Sequence, residues 1–174
     1  MQDSELFEAI KSAALLRGEF TLRSGRKSKY YLDKYLFEAD PRILQELGKR
    51  FATFVTPQTT RIAGAELGGV ALAASASMAS GIPFAIIRNA KKGYGTQKMY
   101  EGRLEAGDRV LLVEDIATTG GQVIEAARTI TEAGATVERI VAVIDRQEGA
   151  RENIESAGYA FAALMTKADL GIDE

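Results

Sequence analysis

The chain contains no cysteine and no histidine. The absence of cysteine excludes disulfide bonds, zinc–thiolate sites, iron–sulfur clusters and a thiol nucleophile. The absence of histidine excludes a Ser-His-Asp triad, histidine-ligated metals and an imidazole proton shuttle. Any chemistry must therefore use carboxylates, lysine, arginine, tyrosine, hydroxyls, backbone amides or a metal that is held by oxygen atoms.

The sequence also lacks an excess of positive charge. Its 22 basic and 24 acidic side chains give a formal net charge of −2. This balance argues against nucleic-acid binding by bulk charge, although it leaves local basic patches open. With 174 residues, the chain can form one sizeable core and is short for two.

No leader or membrane anchor is predicted. The N-terminus has neither a basic segment nor an apolar segment of the kind found in secretory signals. The 21 residues 67–87 carry no charge, but they are mostly Gly, Ala and Ser, and Gly81 and Pro83 interrupt them. They are typical of a buried helix followed by a buried strand. We therefore expect a soluble, cytoplasmic protein that binds neither nucleic acid nor membranes.

The order of apolar and amphipathic segments predicts an α/β fold. No repeat or linker is present, so residues 1–174 are expected to form a single domain. Ser4 is predicted to cap a first helix that ends at Gly18, Asp40 to cap a second, and residues 19–35 to form a hairpin or irregular cap. Further strands are predicted at 61–65, 83–87, 109–113, 137–144 and 159–165, and helices at 70–80, 121–133 and 148–157. Such alternation predicts a parallel sheet with helices on both faces, which binds ligands beyond the carboxyl ends of its strands.

The most informative loop follows the predicted strand 109–113. The strand ends in the adjacent acids Glu114 and Asp115, and a loop rich in Thr and Gly leads into a helix. Glycines let backbone amides approach an anion, threonine hydroxyls donate to it, and the helix N-terminus adds a favourable partial charge. This arrangement suits a sugar phosphate, with the acids facing its hydroxyls or a metal rather than the phosphate.

The same loop permits other interpretations. An apolar strand that ends in acids also resembles a Walker B segment, but the sequence contains no G-x-x-x-x-G-K-[ST] motif. It contains no G-x-G-x-x-G motif for a dinucleotide either. A plain strand–turn–helix connection could contain Thr and Gly by chance, but the twelve-residue pattern 110–121 is more specific.

Two basic clusters stand out on this acidic chain. Taken singly, each could be a solvated basic loop or a short RNA-binding loop. Together with the Thr-Gly loop, they favour the capture of a polyanion. The clusters are Arg23, Arg26, Lys27 and Lys29 near the N-terminus, and Arg88, Lys91, Lys92 and Lys98 in a Gly-rich segment.

Residues 110–121 resemble the phosphoribosyl-pyrophosphate (PRPP) motif of the type I phosphoribosyltransferases. The resemblance implies the type I phosphoribosyltransferase fold. It also implies a small N-terminal hood, formed mainly by residues 18–36 with contributions from the C-terminus. It also implies that Glu114 and Asp115 contact the ribose hydroxyls of PRPP. The implied loop for the 5-phosphate consists of Ala117, Thr118, Thr119, Gly120 and Gly121.

Other segments resemble the orotate-using branch of that family. Residues 20–31 are similar to its hood motif, F-x-L-[KR]-S-G-x-x-S-x-[YF]-[YF], and residues 145–149 to its D-R-Q-E-x-G motif. The implied orotate-binding residues are Arg23, Tyr30, Tyr31, Thr118 and Arg146. The implied pyrophosphate loop is Glu66, Leu67, Gly68 and Gly69. The mobile catalytic loop of the family corresponds to residues 88–102 and brings Arg88, Lys91 and Lys92 to PRPP.

The resemblance implies the transfer of the phosphoribosyl group of PRPP to orotate, giving orotidine 5′-monophosphate and pyrophosphate. Lys92, Asp115 and Glu114 are the implied catalytic residues. Mg²⁺ is the implied cofactor, held mainly by PRPP and water, with no protein ligand assigned. A homodimer is also implied, in which the loop 88–102 acts on the neighbouring site.

Three positions depart from the family pattern. Asn89 stands where Lys is usual, Tyr94 where the family has His, and Gly68 where some members have Lys. The proton donor to pyrophosphate therefore stays open, with Tyr94 as a candidate. Two alternatives also stay open: a phosphoribosyltransferase for another base, and a regulatory module that binds PRPP without catalysis.

Overall fold

The computed structural model describes residues 1–21, 25, 27–90 and 98–172. Within these ranges, an N-terminal helix and hairpin are followed by two further helices and then by the strands and helices of the central sheet. The strands are β1 (Leu15–Thr21), β2 (Lys27–Leu32), β3 (Arg61–Ala65), β4 (Phe84–Ile87), β5 (Tyr100–Glu101), β6 (Arg109–Ala117), β7 (Thr136–Asp145) and β8 (Phe161–Thr166). The helices are α1 (Asp3–Ala14), α2 (Lys34–Glu38), α3 (Pro41–Ala52), α4 (Gly68–Ser80), α5 (Gly121–Glu132) and α6 (Ala150–Ser156), and a 3-10 turn covers Ala168–Leu170.

The central sheet has six strands in the order β5-β4-β3-β6-β7-β8. Strand β5 runs antiparallel to β4, and the other pairs of neighbours are parallel. Strands β3, β4, β6, β7 and β8 therefore all point their carboxyl ends to one edge. The prediction of a mostly parallel sheet is confirmed, and the order places β6 at its centre.

Helices cover both faces of this sheet, as predicted. Leu111 and Val113 of β6 pack into a cluster with α1, α3 and α4, whereas Val110 and Leu112 pack into a second cluster with α5 and α6. This alternation follows from the two-residue period of a strand. Burial on both faces explains why β6 reads as a continuous apolar run.

The N-terminal segment forms the predicted hairpin, but it starts earlier than expected. Helix α1 ends at Ala14 rather than near Gly18, because β1 begins at Leu15 and pairs antiparallel with β2. Sheet pairing here outweighs the helical tendency of the preceding residues. The predicted cap at Ser4 is also wrong, because Ser4 lies inside α1 and Gln2 takes the N-cap position.

Several predicted boundaries need correction. Strand β6 continues through Glu114 and Asp115 to Ala117 instead of ending before them. Helix α4 begins at Gly68 rather than at residue 70. The short elements α2 and β5 were not predicted. The start of α3 is confirmed, since the Asp40 side chain accepts hydrogen bonds from the N–H groups of Arg42 and Ile43.

The uncharged segment 67–87 folds as predicted. It forms the 13-residue helix α4 and, after a short connection, strand β4. In the part of the chain that the structure describes, no helix combines the length and the apolar character that crossing a bilayer requires.

Candidate active site

The predicted site residues that the structure describes gather at one edge of the sheet. The turn 66–69 follows β3, Arg88 follows β4, the acids and the Thr-Gly loop end β6, and Arg146 follows β7. All four segments leave carboxyl ends of parallel strands, which is where ligands bind in such sheets. The hairpin β1–β2 lies at this edge, since Tyr30 of β2 contacts Arg146.

Asp115 is the most enclosed acid of the site, with 4% of its surface exposed. Its Oδ2 atom accepts a hydrogen bond from Lys34 Nζ of α2 at 2.6 Å, and its Oδ1 atom accepts one from the Ile116 N–H. A Cβ placed on Gly68 would overlap Oδ2. The carboxylate is therefore held between a lysine and the first residue of α4, whose helix N-terminus also favours negative charge.

Glu114 differs from Asp115 in its electrostatics. Burial raises the pKa of Glu114 to about 8, and the charge of Asp115 adds to the rise. The Oε1 atom of Glu114 accepts a hydrogen bond from the Asp115 N–H at 3.0 Å. The two adjacent acids are thus not equivalent: at neutral pH Glu114 tends to keep its proton and can donate a hydrogen bond to a ribose hydroxyl.

A third carboxyl group, that of Glu38 in α2, lies behind this pair. Only 5% of Glu38 is exposed, and its Oε1 atom has no hydrogen-bond partner among the described residues. Burial and the charge of Asp115 together raise the pKa of Glu38 to about 8, and the charge of Lys34 opposes this rise. Lys34 therefore stands among three acids. Burial lowers the pKa of its ammonium, but the hydrogen bond and charge of Asp115 outweigh burial and raise the pKa above 10.5.

The Thr-Gly loop forms a cavity of about 390 Å³ between β6 and α5. Gly120 has φ +81° and packs against Ile154 of α6, where a side chain would not fit. The Asn153 side-chain amide donates to the Thr119 carbonyl at 2.9 Å. Helix α5 starts directly after this loop, and the first N–H groups of a helix have no partner within it. The cavity is thus shaped to receive a phosphate. Its lining includes the predicted residues Glu114, Ala117, Thr118, Thr119, Gly120 and Gly121.

Arg146 connects the Thr-Gly loop with the hairpin. Its backbone N–H donates to the Ala117 carbonyl at 3.0 Å. Its guanidinium donates to the Tyr30 hydroxyl at 2.9 Å and lies 3.1 Å from the Glu148 carboxylate. The structure thus brings together the predicted base-binding residues Arg146 and Tyr30. Tyr31 is 44% exposed, and its ring lies against that of Phe20 at a tilt of 34°, so its predicted role stays a prediction.

The turn 66–69 is tied to the start of the next loop. The Glu66 carboxylate accepts a hydrogen bond from the Asn89 N–H at 2.7 Å, and the Asn89 side chain donates to the Glu66 carbonyl at 3.1 Å. Arg88 forms an ion pair with Glu101 of β5 at 3.4 Å. Asn89, which replaces a usual lysine, therefore fastens the predicted pyrophosphate loop to the stem of the predicted catalytic loop. Leu67 is 70% exposed at the tip of this turn.

Some predicted residues lie outside the described ranges. These are Arg23 and Arg26 of the hood motif, and Lys91, Lys92 and Tyr94 of the predicted catalytic loop. Their assigned roles stay predictions.

The sequence did not identify Lys34 and Glu38 as residues of the candidate site. Both lie just after the hood motif: Lys34 falls at the end of the predicted hairpin 19–35, and Glu38 lies beyond it. Lys34 meets Asp115 across a separation of 81 residues. A weak signal exists in retrospect, because Lys34 and Glu38 are spaced four residues apart and so share one face of a helix.

The described residues contain no group of three or more acidic side chains arranged to hold a metal ion. A hard cation such as Mg²⁺ prefers oxygen ligands and retains several waters. The phosphates of PRPP would supply such ligands, and Mg²⁺ carried by the substrate stays a prediction.

Comparison with known proteins identifies the class of protein to which the chain belongs. Residues 47–158, more than half of the chain, match the family described as "Phosphoribosyl transferase domain". The orotate phosphoribosyltransferase of Methanocella arvoryzae is 45% identical over 97% of both chains, and that of Halobacterium salinarum is 46% identical over 95% of both. The chain therefore belongs to the orotate phosphoribosyltransferases.

Solved structures agree with this assignment. Mycobacterium tuberculosis orotate phosphoribosyltransferase in complex with Fe(III) dicitrate superposes with a TM-score of 0.87 at 30% identity, over 98% of this chain and 99% of that one. The same enzyme in complex with PRPP gives a TM-score of 0.80 at 29% identity, with the same coverage.

Proposed function

We propose that this chain transfers the phosphoribosyl group of PRPP to orotate, giving orotidine 5′-monophosphate and pyrophosphate. One observation carries the proposal. The Arg146 N–H binds the Ala117 carbonyl, so the predicted base-binding arginine is fastened directly to the phosphate loop. A ribose whose 5-phosphate occupies that loop has Asp115 and Glu114 beside it. Relatives that cover nearly the whole chain bear the same activity in their names.

Three parts of the sheet's carboxyl edge have separate roles in the proposed reaction. The Thr-Gly loop binds the 5-phosphate, Arg146 and Tyr30 orient the base, and the turn 66–69 receives the pyrophosphate. The Asp115 carboxylate stabilises positive charge that develops on the ribose as the bond to pyrophosphate breaks. Mg²⁺ bound to PRPP would neutralise the leaving pyrophosphate.

Two alternatives make different predictions. A phosphoribosyltransferase for another base would prefer adenine, hypoxanthine or uracil over orotate. A regulatory module would bind PRPP and leave every base unchanged. The test is to offer orotate and these bases together with PRPP and Mg²⁺, and to separate the nucleotide products by chromatography. We expect orotidine 5′-monophosphate to dominate; a different nucleotide, or PRPP binding without product, would favour one of the alternatives.

Arg146→Ala is expected to raise the KM for orotate more than the KM for PRPP. A hydrogen bond from a charged group contributes about 1.5–3 kcal/mol, which corresponds to roughly 10-fold to 150-fold in KM. Initial rates with each substrate varied in turn would measure the difference. Arg128→Ala on the exposed side of α5 is the matched control. Equal losses for both substrates would indicate that Arg146 only supports the fold.

We further propose that the chain acts as a homodimer in the cytoplasm and that Lys92 closes over the partner's site. Lys92→Ala and Asp115→Ala should each give weakly active homodimers. Mixing them with subunit exchange should restore about a quarter of wild-type activity, because half of the dimers are mixed and each has one intact site. If exchange is verified and no activity returns, Lys92 serves its own subunit.

A further inference from the structure

Lys34, which contacts Asp115, lies outside every motif that the sequence predicted. It lies in the first turn of α2, and its Nζ atom lies 2.6 Å from Asp115 Oδ2. The Lys34 side chain is 32% exposed, whereas that of Asp115 is 6% exposed. The lysine therefore reaches inward from the N-terminal segment to an enclosed carboxylate on the central strand of the sheet.

This ion pair lies against the predicted pyrophosphate loop. A Cβ on Gly68 would overlap Asp115 Oδ2 and would lie 3.1 Å from Lys34 Nζ. The absence of a side chain at position 68 thus makes room for the carboxylate and the ammonium together. Lys34 supplies a positive charge where the ribose and pyrophosphate parts of the site meet.

The ammonium also balances a cluster of acids. Glu38, one helical turn after Lys34, and Glu114 on β6 are both held near Asp115. For each, burial and the charge of Asp115 raise the pKa to about 8, and the charge of Lys34 works against that rise. The other titratable groups facing this cluster are Asp33 and Tyr35, both beside Lys34 in the chain.

We propose that Lys34 is a positioning residue for the phosphoribosyl transfer, whose ammonium orients the Asp115 carboxylate and balances the surrounding acids. This inference rests on the proposed function. It assigns Lys34 no contact with PRPP or orotate and rests on the hydrogen bond that the ammonium donates to Asp115. Lys34 acts on the reaction through Asp115.

The first test compares Lys34→Met with Lys34→Arg and, as a distant control, Lys49→Met. Residues that orient a metal ligand through a hydrogen bond typically contribute about 10-fold to 100-fold to activity, and we expect a similar contribution from a residue that orients a catalytic carboxylate. Lys34→Met is therefore expected to lower kcat by at least 10-fold with little change in the KM for PRPP. The alkaline limb of its rate profile, where Glu114 loses its proton, should move to higher pH, because the charge of Lys34 no longer opposes the rise in the pKa of Glu114. Lys34→Arg keeps the positive charge and should leave this limb in place, whereas a merely structural effect would lower kcat without moving the limb.

The second test needs no turnover. The folded-state pKa of Glu38 and Glu114 is raised from 4.5 to about 8, so the folded state binds more protons than the unfolded state between these values. Stability should therefore fall as the pH rises from about 5 to 8 and level off above that range. In Lys34→Met the fall should continue above pH 8. Thermal denaturation of each variant across this range measures the effect.

The outcomes separate the positioning role from the proposed function. If wild type forms no orotidine 5′-monophosphate, the proposed function fails, and the stability profiles still test whether Lys34 balances the acids. If wild type is active and Lys34→Met keeps its kcat and both pH profiles, the positioning role is wrong. A rise in the KM for PRPP alone would also overturn it, because it would make Lys34 a direct ligand of pyrophosphate.

Discussion

Asp115→Asn is expected to lower kcat by about 10²-fold to 10³-fold, the range that follows the loss of a well-placed electrostatic group. Asparagine keeps the size of the side chain but removes the negative charge that stabilises a ribosyl cation. The KM for orotate should change little, because the proposed contacts of the base are with Arg146 and Tyr30. Steady-state rates with both substrates varied would measure this, and near wild-type turnover would remove Asp115 from the mechanism.

Asp108→Asn provides the matched control at the opposite end of the same strand. Asp108 is also enclosed, with 9% exposure, and accepts hydrogen bonds from the Thr60 hydroxyl and the Glu105 N–H. Its replacement should cost about 1–3 kcal/mol of stability, as is typical when buried hydrogen bonds are lost, and leave kcat unchanged. Loss of turnover in Asp115→Asn without loss in Asp108→Asn would locate the effect at the carboxyl end.

Gly68→Ala is expected to lower kcat by about 10²-fold, because displacement of a reacting group by 1 Å can cost that much. The added Cβ would overlap Asp115 Oδ2 and lie 2.9 Å from its Cγ, so the carboxylate must turn away from Lys34. The fold should tolerate the change, since alanine favours helix over glycine at the start of α4. Measured rates and melting temperatures together would reveal this pattern.

Gly48→Ala is the control for crowding alone. Its Cβ would overlap the Ser75 hydroxyl and lie 2.6 Å from the Ser75 carbonyl oxygen, where α3 and α4 pack away from the acids. We expect Gly48→Ala to lose stability and to keep kcat per folded molecule. If Gly68→Ala behaves in the same way, the close approach of Gly68 to Asp115 has no role in catalysis.

The parts of the candidate site that the sequence indicated most clearly are contiguous. The stretch 114–121 combines a strand end, a glycine-rich turn and a helix start, and each of these has a local signature. Arg146 was predicted from another contiguous stretch, because residues 145–149 resemble a family motif. The parallel sheet was predictable since its strands are buried on both faces and therefore read as unbroken apolar runs.

What the sequence did not predict depends on tertiary contacts. The pairing of Lys34 with Asp115 crosses 81 residues, and no local pattern specifies which acid a surface-type lysine will meet. The end of β6 was misplaced because Glu114 and Asp115 are poor strand formers that parallel pairing with β7 nevertheless holds extended. The two residues of β5 are too few to show any periodicity.

The measurement that tests the central claim most directly follows orotate, orotidine 5′-monophosphate and pyrophosphate in one time course with wild-type protein, PRPP and Mg²⁺. The account predicts that one orotidine 5′-monophosphate and one pyrophosphate form for each orotate consumed, and that Asp115→Asn slows all three changes together. Orotate that stays unchanged while PRPP binds, or pyrophosphate released without orotidine 5′-monophosphate, would contradict it.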